Sequence, residues 1–428
     1  MSFNEAKLYL DQLGEPRMRL TLEPMHELLR LFNHPDQSLK SLIVGGTNGK
    51  GSTCAFLTSI ATAAGLKVGT YTSPHLESVT ERIAINGKAI DEEYFASQLL
   101  STKRKLEQTA FKDITYFEFM TLLALQVFVD RKVDLAIFEV GIGGRLDATN
   151  ALKRIGTLIT PIDFDHMNIL GNTLEQIACE KGAIMRKGIP CVLSLQRPEV
   201  LTELIRIGNT TGAKLFIAYR DFKGMGTPTN FDYMCREFEL PHLSIRLLGE
   251  HQVENAASAI ALLTHLDGGF EFSNEEIATG LERAFLPGRL EKWTLAGGKE
   301  IWLDVGHNPQ AALKISEFFS GKYVKSMDVV VGMLADKDWE KTLAHILPIA
   351  RSLTLCRPNS PRAWDINQVQ QAIRFSIPTS IEEDPVRAFQ KALSTSNNIL
   401  CTGSFYTVGS IRSHLLKGTE AKNRTLRV

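Results

Sequence analysis

The feature that most constrains this chain is the run Gly45-Gly46-Thr47-Asn48-Gly49-Lys50-Gly51-Ser52-Thr53. It joins an apolar segment, Leu42–Gly46, to a helical pattern from Cys54 to Ala64. A strand that turns through glycines into a helix lets backbone N–H groups approach an anion. The helix N-terminus adds its positive end, and Lys50 supplies a point charge for phosphates. A plain glycine-rich turn would have no use for the lysine, so phosphate binding is the stronger reading. The usual spacing, G-x-x-x-x-G-K-[ST], is missed twice, with Val44 in place of the first glycine and Gly51 in place of the hydroxyl. That hydroxyl normally ligates magnesium, so another residue must do so here.

The rest of the chain alternates in the same way, which predicts βα units around a parallel sheet. Near-continuous apolar runs at Leu42–Gly46, Val68–Thr72, Leu135–Val140 and Leu158–Ile162 suit strands covered on both faces. Pro190–Leu195 and Lys214–Ala218 are further candidates. Phe117–Phe128 has helical length and follows Thr115, an N-cap residue type. Asp221–Pro241 is irregular and reads as a loop or hairpin elaboration. A second series, Ile301–Val305, Val329–Gly332, Leu353–Cys356 and Ile399–Thr402, follows the Pro287-Gly288 pair. A chain of 428 residues exceeds one ordinary core, so two domains are expected, 1–287 and 288–428, with the boundary at Leu286–Leu290. The polar tail after Lys417 is expected to fray.

Composition removes several classes. Lys plus Arg and Asp plus Glu are 48 each, so the formal charge is zero and no basic excess points to nucleic acid. The opening residues are charged and interrupted, unlike a secretory signal. The longest apolar stretch, Leu122–Val129, includes Gln126 and is too short to cross a bilayer, so it reads as core helix. Six cysteines without a CxxC pair argue against a disulfide framework or zinc ribbon. A cytoplasmic, monomeric protein without nucleic-acid or membrane partners is expected.

Three further segments follow predicted strands, where open α/β sheets bind ligands. Glu139 ends Leu135–Phe138 and is a candidate magnesium ligand, the alternative being a solvated strand-terminal glutamate. Ser73, in Thr72-Ser73-Pro74-His75, offers the hydroxyl that Gly51 lacks, although Ser-Pro is also an ordinary turn signal. His166, in Asp163-Phe164-Asp165-His166, is either a ligand or a satisfied surface histidine.

Together these segments carry a resemblance. Gly45–Ser52, Thr72–Leu76, Glu139–Asn150, Asp163–Gly171 and Asp304–Pro309, in that order, resemble the folylpolyglutamate synthase and dihydrofolate synthase branch of the Mur ligase superfamily. The match runs from about Ser41 to Gly409. It implies an α/β protein with a P-loop-type, mostly parallel sheet in an N-terminal ATPase domain and a smaller Rossmann-like C-terminal domain. It implies ATP-phosphate contacts from Asn48, Gly49, Lys50, Gly51 and Ser52. One Mg²⁺ would be held by Ser73 and Glu139, and a second by His166.

Lys181, in Glu180-Lys181-Gly182-Ala183, matches a lysine often carbamylated in this superfamily; spacing alone suggests an exposed helix-terminal lysine. Pterin contacts would come from Thr115, Phe117 and Glu118 and from Leu146, Asp147 and Ala148, with Asp147 foremost. Phe117 and Phe119 at helical spacing also read as core. Asn255, in a G-x-H-Q-x-x-N-A segment, would meet adenine. Arg289 and Asp304 would meet the nucleotide, although Val305-Gly306 departs from the family's usual D-G-A-H-N. His307 and Ser404 are candidates for the incoming glutamate.

The implied reaction is ATP-driven amide formation, with Lys50, Lys181 and His166 as its catalytic groups. L-Glutamate would be joined to dihydropteroate, to a reduced folate, or to both, through an acyl phosphate. Because the nucleotide loop and the Arg289–Asp304 segment fall in different domains, closure is expected to precede chemistry. The rivals are a Mur-type amino-acid ligase acting on a peptidoglycan precursor and a non-catalytic nucleotide-dependent binding protein. The latter leaves Glu139, His166 and Lys181 unexplained.

Overall fold

The computed structural model describes residues 2–14, 21–109, 111, 113–267, 269–320, 326–373 and 377–420. A strand whose residues are all apolar must be covered on both faces, and the central strands obey this. β1 (Ser41–Gly45), β2 (Val68–Tyr71), β3 (Ile83–Ile85), β4 (Lys88–Ala89), β5 (Leu135–Glu139), β6 (Gly156–Ile159), β7 (Pro190–Leu193) and β8 (Lys214–Ile217) form one eight-stranded sheet. Their spatial order is β4-β3-β2-β5-β1-β6-β7-β8. The run from β2 to β8 is parallel, and β3 and β4 add an antiparallel edge. Every residue of β1, β2, β5, β6 and β7 is buried.

Parallel pairing gathers the carboxyl ends of the strands along one edge. Val44 of β1 pairs with Glu139 of β5, Gly45 with Ile159 of β6, and Tyr71 of β2 with Phe138 of β5. The phosphate loop, Ser73, Glu139 and the segment from Thr160 therefore leave the sheet side by side. The helix Lys50–Ala63 follows the loop. The helix Tyr116–Asp130 begins with a capping box between Thr115 and Glu118 and sinks Phe119, Leu122, Leu123 and Phe128 into the core. Leu122–Val129 is thus core helix, with Gln126 half-buried.

Asp221–Pro241 proves to be an antiparallel elaboration, β9 (Phe222–Thr227), β10 (Asn230–Cys235) and β11 (Glu239–Leu243). A third sheet contains β12 (Glu291–Thr294), β13 (Glu300–Asp304), β14 (Met327–Val331), β15 (Ala350–Leu355), β16 (Thr379–Ile381) and β17 (Asn398–Thr402), in the order β12-β13-β17-β14-β15-β16. Only β12 is antiparallel to its neighbour. Two compact units result, Met1–Arg246 with Gln252–Phe285, and Leu247–His251 with Leu286–Val428. Each has an apolar core of its own.

Differences from the sequence expectation are local. The strand expected at Leu158–Ile162 ends at Ile159, because Pro161 cannot continue a ladder and its carbonyl is used elsewhere. Gly46 is outside β1, since its φ of +132° breaks the extended backbone. The last helix continues to Glu420, so fraying does not begin at Lys417, and the remainder of that tail lies outside the described residues. No described helix is long and apolar enough to cross a membrane.

Candidate active site

The loop is shaped by close approach. A Cβ on Gly46 would lie 1.9 Å from Thr160 Oγ1, and one on Gly49 would lie 2.6 Å from Asn255 Oδ1, both at positive φ. Thr47 and Asn48 donate their N–H groups to the Pro161 carbonyl at 3.0 and 3.2 Å. Thr47 Oγ1 and the Asp163 backbone bond reciprocally, at 3.1 Å each way. These anchors hold the loop to the Asp163–His166 segment. They also commit the Thr47 and Asn48 amides, which leaves the N–H groups of Lys50, Gly51 and Ser52 as the donors the loop can offer an anion. Those precede the first intrahelical bond, Thr53 N–H to Gly49 C=O at 2.9 Å.

Two lysines converge on one carbonyl. Lys50 Nζ donates to Gly46 O at 3.2 Å and to Thr47 O at 3.0 Å; Lys181 Nζ, from the helix Leu174–Gly182, donates to Gly46 O at 2.9 Å. Lys181 is 5 % exposed, so it is not the solvent-facing lysine that its spacing allowed. Burial first, and the Lys50 charge second, bring its ammonium down to about 7. Both effects favour the free amine of Lys181 over its ammonium.

Glu139 is buried rather than solvated, and its Oε2 accepts the Ser73 N–H at 3.1 Å. A serine hydroxyl and a carboxylate are hard oxygen donors of the kind Mg²⁺ takes alongside phosphate oxygens. His166, at φ +51°, opens the one-turn helix Met167–Leu170, and its Nε2 is 3.9 Å from Asp165 Oδ2. Among the described residues no group of three or more His, Cys, Asp or Glu side chains is preassembled for a metal. Ser73 and Glu139 thus fit an ion that brings its remaining oxygens with the nucleotide.

The expected pterin segments divide by role. Glu118 Oε2 accepts from Thr115 N and Oγ1, both at 2.8 Å, inside the helix cap. Asp147 Oδ2 accepts from Gly141 N and Ile142 N at 3.0 and 3.2 Å, and its Oδ1 from Thr149 N and Oγ1 at 3.0 and 2.6 Å. Four donors from its own loop thus surround the buried Asp147 carboxylate, whose pKa burial raises. Its work in this structure is to hold the loop from Gly141 to Asn150 in shape. Phe119 is core, whereas Phe117 is half-buried, with its ring against the Gly141 backbone: a Cβ on Gly141 would lie 2.7 Å from Phe117 Cζ. Of the four residues, Phe117 presents the surface on which a flat ring can stack. Leu146 is half-buried and Ala148 buried beside it.

Asn255 is buried and linked through Gln252 to Ser52, by bonds of 2.9 and 3.3 Å. In the second unit, Asp304 ends β13, and its carboxylate accepts from Leu290 N at 2.9 Å and Gly306 N at 2.7 Å. Burial raises its pKa, while nearby Arg289 pulls it down. The Arg289 guanidinium lies 5.8 Å from the Phe405 ring centroid. His307 Nδ1 is 3.0 Å from Val305 O, and Asn308 caps the helix Pro309–Phe319. Ser404 is 2 % exposed and bonded to Thr407 as a helix cap. Sequence reasoning missed Gln252 and the Pro161 carbonyl, whose parts depend on contacts distant along the chain, and Arg82, whose part depends on side-chain placement against His75 and Tyr116.

Comparison with known proteins agrees with this geometry. The Mur ligase middle domain matches residues 44–263, and the Mur ligase glutamate ligase domain matches residues 288–405. A dihydrofolate synthase/folylpolyglutamate synthase of Bacillus subtilis (strain 168) is 36 % identical over 418 residues, covering 93 % of this chain and 96 % of that protein. This chain belongs to the folylpolyglutamate synthase/dihydrofolate synthase family of Mur ligases. Two solved members of the family share its fold. A bifunctional Yersinia pestis enzyme complexed with AMPPNP and Mn ion has 31 % identity and TM-score 0.87, covering 97 % of this chain and 98 % of its own. An Escherichia coli enzyme in complex with DHPP and ADP has 29 % identity and TM-score 0.86, covering 99 % of each chain.

Proposed function

We propose that this protein is an ATP-dependent amide ligase that joins L-glutamate to dihydropteroate and to reduced folates. The observation that carries the reading is the convergence of Lys50 and the buried Lys181 on the phosphate loop, beside a carboxylate and a hydroxyl suited to magnesium. Family membership over nearly the whole chain supports the choice of substrates. Residues 1–287 would bind ATP and the pterin, and residues 288–428 would complete the ligase. All six cysteines are free thiols, which agrees with the cytoplasm as its compartment.

The acceptor carboxylate attacks the γ-phosphorus, the bond to ADP breaks, and an acyl phosphate forms. The amine of L-glutamate then attacks the acyl carbon; phosphate leaves and the nitrogen loses its proton. Lys50 moves from its carbonyl acceptors to the phosphates, where its charge offsets what develops on the transferring group. The amides of Lys50, Gly51 and Ser52 position the phosphate chain. Ser73 and Glu139 would hold Mg²⁺, and His166 would contribute to a second ion. Divalent cations, when bound, screen the repulsion between triphosphate and carboxylate.

As free amine, Lys181 could add carbon dioxide, forming an N–C bond and releasing a proton, to become an anionic carbamate that would suit a cation-bearing site. Phe117 stacks on the pterin, while Thr115, Glu118, Leu146, Asp147 and Ala148 build the wall around it. By family resemblance, Asn255 of the first unit and Arg289 and Asp304 of the second would each be nucleotide contacts, and His307 and Ser404 would border the glutamate.

The deciding experiment measures ADP release by purified protein with MgATP and L-glutamate, supplying dihydropteroate or tetrahydrofolate. Release that depends on each acceptor is the expected result. Tight ATP binding without release on either acceptor would overturn the reading, and peptidoglycan precursors would be tried next.

A further inference from the structure

Arg82 is a charged side chain that the scheme above leaves idle. It is 7 % exposed, and among the described residues no carboxylate lies within ion-pair distance of it. Its Nε–H donates to His75 Nδ1 at 2.9 Å, and its guanidinium lies over the Tyr116 ring, 5.2 Å from the centroid. A histidine that accepts at Nδ1 is neutral there, so His75 orients the guanidinium without cancelling its charge. Folded proteins rarely bury a full positive charge without an anion. This arrangement is therefore suited to receive one.

The surroundings are rigid. Glu81 accepts the N–H groups of Leu76, Glu77 and Ser78 at 2.8, 2.9 and 2.7 Å, which pins the segment between Ser73 and Arg82. The Arg82 carbonyl accepts Thr72 N–H at 3.0 Å, fixing its backbone against the end of β2. Nearby, the Tyr71 hydroxyl is buried, and the charge of Arg82 acts on it. The Tyr71 ring lies 5.8 Å from that of Phe117. With Nε engaged, the two terminal nitrogens of Arg82 remain as a planar fork, which matches a carboxylate.

The location narrows which carboxylate this is. Arg82 stands over Tyr116, next to the stacking residue Phe117, and its partner His75 is two residues from Ser73 at the metal edge. A folate acceptor lying from Phe117 toward that edge carries two carboxylates on its glutamyl group, the γ one to be activated and the α one beside it. Dihydropteroate has only the carboxylate that reacts. Resting on the ligase reading, we propose that Arg82 binds the α-carboxylate that a glutamylated folate keeps, and so sets the enzyme's preference between its two acceptors. His75 is the positioning residue for that contact.

The test compares wild type, Arg82→Gln and Arg82→Lys in steady-state ADP release with each acceptor at saturating MgATP and L-glutamate. Thermal melting confirms that the variants fold. Arg82→Gln is expected to raise KM for tetrahydrofolate at least tenfold more than KM for dihydropteroate, and Arg82→Lys to restore part of the difference. Equal changes for both acceptors, or none, in a folded variant would overturn the inference while leaving the ligase reading intact. Wild-type release with dihydropteroate alone would overturn it as well, since that acceptor keeps no carboxylate. If Arg82→Gln does not fold, His75→Ala is measured in its place, with a smaller shift of the same ratio expected and an unchanged ratio counting against the idea. Wild-type inactivity with both acceptors is a separate outcome that removes the ligase reading and this inference together.

Discussion

Gly141 shows how a residue without a side chain can govern a binding surface. Its missing Cβ is what allows Phe117 to lie against the backbone. Gly141→Ala should push the ring aside while leaving the phosphate loop untouched. We expect KM for the acceptor to rise roughly tenfold, the value of about 1.4 kcal/mol of lost stacking, with ATP affinity unchanged. Equal loss of both affinities, read by calorimetric titration, would show that the change is not local. Arg289 offers a different residue-scale test. Its guanidinium faces the Phe405 ring and the Asp304 region, and Arg289→Ala should lower turnover on the order of tenfold or more without lowering the melting temperature. Wild-type turnover in the folded variant would remove it from the nucleotide contacts.

Among the elements, the helix Tyr116–Asp130 has both a structural and a functional end. Thr115 and Glu118 close its first turn, so Thr115→Val should cost about 1 kcal/mol of stability, readable in urea melts; a cost near zero would mean the cap is idle. The helix His251–Thr264 begins with a histidine that burial, helped by Lys314 and Arg289, holds down to about 4. The unfolded chain takes up that proton near 6.5, so between pH 6.5 and 4 the unfolded state binds more protons. Stability falls as pH falls through that window. Wild type should therefore lose about 3 kcal/mol more than His251→Gln between pH 7.5 and pH 4. Parallel losses in the two proteins would contradict the assignment.

Legibility followed the same physics. The buried parallel strands were readable to within a few residues, because complete burial demands unbroken apolar runs. The short strands β3, β4, β12 and β16 were not, since they lie at sheet edges or consist of only a few partly exposed residues. Lys50, Ser73 and Glu139 were readable as candidates because each follows a strand end. That Asp147 is enclosed by four loop donors, or that Arg82 has no carboxylate within ion-pair distance among the described residues, depends on side-chain placement that sequence spacing does not encode.

At the scale of the molecule, two separate apolar cores should give two unfolding events rather than one. Scanning calorimetry is expected to resolve them. MgATP should raise the transition of the larger unit, which carries the phosphate loop, by the equivalent of about 2.7 kcal/mol at a hundredfold excess over Kd. One cooperative transition, unmoved by nucleotide, would count against both statements.

The Gly46 carbonyl, held by both Lys50 and Lys181, has one more consequence. Together with the Thr47 carbonyl, this oxygen fixes the position of the Lys50 ammonium. On the proposed reading, ATP entry would be an exchange rather than a simple addition: Lys50 would give up the Gly46 and Thr47 carbonyls for phosphate oxygens. The affinity for ATP would be discounted by the contacts surrendered. In return, the loop would meet the nucleotide with its charge already aimed.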